Sequence, residues 1–165
     1  MPFLTPDDYL GSVERIDPSA LVEQGFGIVL LDIDNTLVPR DTRRLPAGVA
    51  RWVARLREEG LRVCLLSNNW HRVVFDYARE LDLPLVHRAM KPAPFAYMRA
   101  LRKMGRRRGE KVVCVGDQIV TDVWGAHLLG LKAILVEPQA TKDLWYTQLF
   151  RRFERRLMHG RRPRV

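Results

Sequence analysis

The sequence predicts an α/β fold, a doubly wound, Rossmann-like parallel sheet with helices on both faces. Three observations lead there. Short apolar runs alternate with stretches of helical periodicity along the chain. The runs are apolar throughout, as in VLL before Asp32 and VVCV before Gly116, which suits strands covered on both sides. Reactive side chains follow directly on those runs, where sheets of this kind bind ligands.

The elements follow in order. Gly27 to Asp32 reads as a buried strand. Pro46 to Glu59 reads as a helix, with Pro46 in its first turn and Val49, Trp52, Val53 and Leu56 at helical spacing; Gly60 ends it. Arg62 to Ser67 is a second strand and Trp70 to Leu81 a second helix. Pro84 to His87 is a short strand. Pro92 to Met104 is a third helix, with Pro92 or Pro94 near its start. Val112 to Gly116 is a strand, Ile119 to Leu129 a helix, and Ala133 to Glu137 the last strand. A helical pattern also precedes Gly27.

The 165 residues suit one domain of ordinary size, with 47% hydrophobic residues to fill its core. The net charge is +9, from 28 Lys and Arg against 19 Asp and Glu. That excess favours an anionic partner: a phosphorylated substrate, an anionic membrane or a nucleic acid. Cys64 and Cys114 each sit inside an apolar run and read as buried thiols, without disulfide or zinc spacing, which points to a reducing compartment. The first residues carry no signal-peptide pattern, and no run reaches the ~18 apolar residues of a membrane span. The expected location is the cytoplasm, with peripheral contact at the inner face of the membrane. His71, His87 and His127 lack metal-ligand spacing and read as surface or packing residues.

Four strand ends would converge on one crevice. The first carries Asp32, Asp34 and Thr36; the second Ser67, Asn68 and Asn69; the third Lys91; the fourth Asp117 and Asp122. Asp32 is placed to attack phosphorus as a nucleophile, splitting one hard step into two easier ones. Asp34 is placed to protonate the leaving group and then activate water. Ser67 and Asn68 can hold phosphate oxygens, and Lys91 supplies a cation where charge gathers. Asp32, Asp117 and Asp122 are the candidate ligands of Mg2+, which prefers oxygen ligands. Thr36 reads equally as a loop buttress; Asn69 and Gln118 are left without a role.

The segments DIDNTLV (32–38), SNN (67–69), KP (91–92) and GDQIVTD (116–122) resemble, in order, the four motifs of the haloacid dehalogenase-like superfamily. The resemblance covers roughly residues 27 to 140. It implies a magnesium-dependent phosphatase, since a second Asp at position 34 accompanies phosphatases and phosphomutases there, and it adds the backbone carbonyl of Asp34 to the metal ligands. The gaps from Thr36 to Ser67 and from Ser67 to Lys91 are too short for the cap domain many members carry. The wording DIDNTLVP, SNNW and GDQIVTDVWGAHLLG resembles a capless subgroup, subfamily IIIA, that includes phosphatidylglycerophosphate phosphatases. That implies an anionic phospholipid as substrate. A soluble or nucleic-acid phosphomonoester is the alternative within the same chemistry, and an RNA- or ribosome-associated binding protein the alternative outside it.

The domain is expected over 1–140 and a basic amphipathic helix and tail over 141–165. Trp145, Leu149, Phe153 and Leu157 lie four apart, flanked by Arg151, Arg152, Arg155 and Arg156. Such a stripe suits a helix lying in a membrane interface, or one packed on the core with solvated arginines outside.

Overall fold

The computed structural model describes residues 2–139. The expected tail helix over 141–165 lies outside them. Strand β1 (Asp8–Leu10) and helix α1 (Pro18–Glu23) precede β2 (Phe26–Leu31); α2 (Ala47–Glu58), β3 (Arg62–Leu66), α3 (Val73–Glu80), β4 (Leu85–Val86), α4 (Pro94–Lys103) and β5 (Lys111–Gly116) follow. A π-helical segment, Ile119–Trp124, then runs into the short α5 (Gly125–His127) and β6 (Lys132–Val136). The six strands form one sheet in the order β1-β6-β5-β2-β3-β4, and every pairing is parallel. The expected fold class holds, and no cap domain is inserted among the described residues.

Period-two alternation explains the apolar runs. In β2, Val29 and Leu31 join one core layer while Ile28 and Leu30 join the other; β5 divides likewise into Val113 and Val115 against Val112 and Cys114. Trp52, Val53 and Leu56 of α2 and Val74 and Tyr77 of α3 fill the first layer. Ala96, Tyr97 and Ala100 of α4, with Ile119, Val123 and Ala126, fill the second. Each fully buried Leu, Ile or Val contributes about 1.5–3 kcal/mol relative to exposure. Both cysteines are buried free thiols, and burial pushes the Cys64 thiol up to about 11. The Trp52 indole, buried in α2, donates to the Ile16 carbonyl at 2.8 Å, so its polar edge is satisfied. Gly60 closes α2 at φ +84°, a left-handed C-terminal position that suits glycine.

Several boundaries differ from expectation for local reasons. Helix α3 begins at Val73, because Asn69 Oδ1 accepts the His71 backbone N–H at 2.8 Å and holds 69–71 as a turn. Helix α4 begins with Pro94 in its first turn, while Pro92 follows a cis peptide bond in the preceding loop. The helix expected over 119–129 is π-wound through Trp124, with the Val123 N–H reaching the Gln118 carbonyl at 3.4 Å. Such widened turns cluster at functional sites. Strand β1 is too short for periodicity to reveal. It pairs Asp8, Tyr9 and Leu10 with Ile134, Leu135 and Val136, and Asp7 pins its start through the Ala133 N–H (2.8 Å), Lys132 Nζ (2.7 Å) and His127 Nε2 (3.0 Å). Among the described residues no helix is long and apolar enough to cross a membrane.

The strand order decides where chemistry is possible. From β2 the chain winds outward through β3 and β4, then returns to lay β5 on the other side of β2. The switch point lies between β2 and β5, and a crevice opens at their carboxyl ends.

Candidate active site

Asp32 stands one residue beyond β2, its N–H bonded to the Val115 carbonyl of β5 at 2.9 Å. Asp117 follows β5 directly. Asp122 reaches back from the π-wound segment, where its Oδ2 accepts the Gln118 N–H at 3.1 Å. One oxygen from each of these three carboxylates lies within 4.8 Å of the others. The close approach needs Gly116: a Cβ there would stand 2.2 Å from Asp122 Cγ.

Lys91 supplies the counter-charge. Its Nζ lies 2.6 Å from Asp32 Oδ1 and 2.6 Å from Asp122 Oδ1, and its side chain is 3% exposed. Burial alone would depress the ammonium, but Asp122 and Asp32 outweigh it and hold the pKa above the ordinary lysine value. Burial raises the Asp122 carboxyl, and Lys91 opposes the rise. The loop that presents Lys91 is locked: Asn68 Oδ1 accepts the Lys91 N–H at 2.7 Å, and Asn68 Nδ2 donates to the Lys91 carbonyl at 2.9 Å. The buried Thr36 hydroxyl sits 3.2 Å from Asp32 Oδ2 and 3.4 Å from Asp117 Oδ1, bracing both carboxylates.

Asp34 lines the same crevice. Burial first, then the neighbouring Asp32 charge, raises its carboxyl above the ordinary aspartate value, while Asn69 and Arg40 pull it down. Asn69 Nδ2 lies 3.1 Å from both Asp34 oxygens and so aims the group. The cavity here has a volume of about 520 Å³ and is lined by Asp32, Asp34, Asn68 and Lys91, with Arg40, Arg43 and Trp70 toward its walls.

The structure therefore brings Asp32, Asp34, Asn68, Lys91, Asp117 and Asp122 together. Ser67 is fully buried beside them, its Oγ accepting the Asn69 N–H at 3.0 Å. Four contributors were not legible. Asn69, left without a role, orients Asp34. Gln118, likewise left out, holds Asp122 through its backbone. Arg40 and Arg43 follow the first motif by several residues, and nothing in their spacing signals a cavity. His71 lies exposed among the cavity-lining residues, His87 packs at a tilt against Phe75 with ring centroids 4.7 Å apart, and His127 bonds Asp7.

Chemically, three carboxylates offering one oxygen each fit a hard divalent cation that takes oxygen ligands, such as Mg2+, and offer no soft sulfur donor. A carboxylate facing a lysine, with a second carboxyl of raised pKa lining the same cavity, is equipped for nucleophilic attack and for proton transfer.

The description "haloacid dehalogenase-like hydrolase" matches residues 7–130. The Bacillus subtilis protein named "Probable phosphatase YqeG" is 35% identical over 156 residues, covering 94% of this chain and 90% of its own. The fold is shared with the cobalt-bound deoxy-D-mannose-octulosonate 8-phosphate phosphatase of Haemophilus influenzae, with a TM-score of 0.51 at 11% identity over 82% of this chain and 89% of the other. A hypothetical protein of Xanthomonas campestris aligns with a TM-score of 0.55 at 14% identity over 84% and 78%.

Proposed function

Because the chain belongs to the haloacid dehalogenase-like hydrolase family, we propose that it works through an aspartyl-phosphate at Asp32 and releases phosphate from phosphatidylglycerophosphate to give phosphatidylglycerol. The clustered aspartates and the family make it a phosphatase. The observation that carries the mechanism is Lys91 bridging Asp32 and Asp122 at the sheet's switch point, with Asp34 lining the same cavity. The lipid assignment is supported by the motif wording, by a crevice without a cap among the described residues, and by the basic balance of the chain.

A carboxylate oxygen of Asp32 attacks phosphorus, and the bond from phosphorus to the leaving oxygen breaks. Asp34, whose carboxyl burial and the Asp32 charge raise above the ordinary aspartate value, gives its proton to that oxygen. Asp34 then takes a proton from water as the water oxygen attacks the aspartyl-phosphate. The bond from phosphorus to Asp32 breaks, and inorganic phosphate leaves. Lys91 uses two of its three N–H donors on Asp32 and Asp122; the third serves a phosphoryl oxygen, as do the Ser67 hydroxyl and the Asn68 amide after local adjustment. Mg2+ held by Asp32, Asp117, Asp122 and the Asp34 backbone carbonyl would neutralise charge on the transferring group. An open cavity leaves acyl chains outside, at the membrane to which a basic tail over 141–165 would bind.

The test is phosphate release from phosphatidylglycerophosphate micelles and from soluble phosphomonoesters, with and without Mg2+, for the parent and Asp32→Asn. The parent is expected to favour the lipid, and the variant to lose nearly all turnover. Full activity in the variant removes the nucleophile assignment; much faster turnover of soluble esters removes the lipid assignment.

A further inference from the structure

We propose that Arg40 and Arg43 form a second anion-binding subsite on the leaving-group side of the cavity, selecting phosphomonoesters whose alcohol carries its own anionic group. The inference rests on the reading of Asp34 as the proton donor. The phosphoryl group lies at Asp32 and Lys91. The leaving oxygen must meet Asp34, so the rest of the alcohol extends past Asp34 along the cavity. The cations on that stretch of wall are Arg40 and Arg43.

Among the described residues neither guanidinium forms a salt bridge, which leaves both free to meet a ligand, and their place on the cavity lining sets them apart from the other arginines. Arg40 is half-buried, and its charge reaches Asp34. Their backbones are fastened at several points. The Arg40 N–H donates to Oδ1 of the buried Asn35 at 3.1 Å. The Arg43 N–H donates to the Pro39 carbonyl at 2.9 Å, and the Arg43 carbonyl accepts the Tyr77 hydroxyl at 2.9 Å. Arg43 also has φ +52°, a left-handed conformation that costs a non-glycine residue about 1–2 kcal/mol; the Tyr77 bond from α3 helps hold it. Thus a fastened turn places half-buried Arg40 and exposed Arg43 on the lining of the reactive cavity. A guanidinium fork matches a phosphate or carboxylate bidentately, and the anion that the protein does not provide comes with the substrate. The phosphodiester of a phospholipid head group fits this demand, and so does the second phosphate of a soluble bisphosphate.

The experiment compares kcat and KM of the parent, Arg40→Ala, Arg43→Ala and the double variant on three soluble esters. Glycerol 3-phosphate leaves a neutral alcohol. The deacylated head group, glycerophosphoglycerol phosphate, leaves an alcohol bearing a phosphodiester. Fructose 1,6-bisphosphate leaves one bearing a phosphate. The parent is expected to prefer an anionic alcohol, and each Arg→Ala change to cut that preference about 10–100-fold, mainly through KM. Arg40→Lys should keep part of it. The better of the two anionic esters identifies a lipid head group or a soluble bisphosphate as the source. Equal preference in parent and double variant overturns the subsite while the phosphatase reading stands. A parent that turns over none of the three esters and no phosphatidylglycerophosphate micelles overturns both.

Discussion

Replacing Lys91 with Met is the sharpest test of how this site is held together. Methionine keeps the length and most of the volume of lysine, so packing changes little. What disappears is the ammonium 2.6 Å from both Asp32 and Asp122. Those side chains are 10% and 6% exposed, so water replaces little of the lost compensation. Two carboxylate oxygens no more than 4.8 Å apart repel by at least about 3.5 kcal/mol at an effective dielectric of ~20. Breaking a buried pair by removing one partner costs about 3–5 kcal/mol. For a chain of this size each kcal/mol moves Tm by about 2–4 °C, so Lys91→Met should melt about 6–20 °C lower in EDTA at pH 8. The penalty should shrink on acidification. Asp122 has a raised folded pKa, and loss of Lys91 raises it further, so between its unfolded and folded values the folded state binds more protons and gains stability as pH falls. Added Mg2+ should restore part of the Tm. Pairing the change with Asp122→Asn should restore more, while turnover stays at least ~10²-fold down. The measurements are calorimetry and phosphate release. An unchanged or raised Tm in EDTA refutes the reasoning, because Lys91 would then not be the cation that makes the carboxylate cluster tolerable.

Three further changes probe other links. Asn69→Ala removes both hydrogen bonds that aim Asp34; kcat should fall about 10–100-fold, and undiminished kcat would show that Asp34 needs no such support. Gly116→Ala places a Cβ against the Asp122 side chain; it should cost about 1–3 kcal/mol in thermal melts and weaken Mg2+ activation, whereas wild-type behaviour would mean that β5 yields easily. Asp7→Asn tests the clasp on β1. Burial pushes the Asp7 carboxyl up, but Lys132, the Ala133 N–H and His127 outweigh it and hold the pKa below the ordinary 3.8. A depressed carboxyl stabilises above its unfolded pKa and loses that contribution as pH falls through the folded value. Asp7→Asn should therefore cost about 1–2 kcal/mol at pH 7 and nothing in strong acid; a pH-independent gap between the two melting curves would refute the charge argument.

Much of the molecule was legible because it is local. The strand of Gly27 to Asp32 needed only apolar residues in sequence, and the helix over 46–59 only the spacing of Val49, Trp52, Val53 and Leu56. Where expectation slipped, tertiary partners decided. Strand β1 has three residues, and it exists because β6 offers a free edge and Asp7 ties it there. The helix after Asp117 looked ordinary by periodicity, but it is π-wound where Asp122 must point back toward Lys91 while Val123 and Ala126 stay in the core. Asn69 resembled any turn residue, and its role appears only when β3 lies next to β2 and brings its amide to Asp34.

By itself the sequence determined the alternation of elements and the kinds of reactive groups at their ends, because hydrophobic period and residue chemistry are written along the chain. Tertiary structure alone decided that Lys91, 59 residues beyond Asp32, sits between Asp32 and Asp122, and that Arg40 and Arg43 line the same cavity as Asp34. Those neighbours follow from the order in which strands pair across the switch point, which is a property of the sheet and not of any one segment of chain.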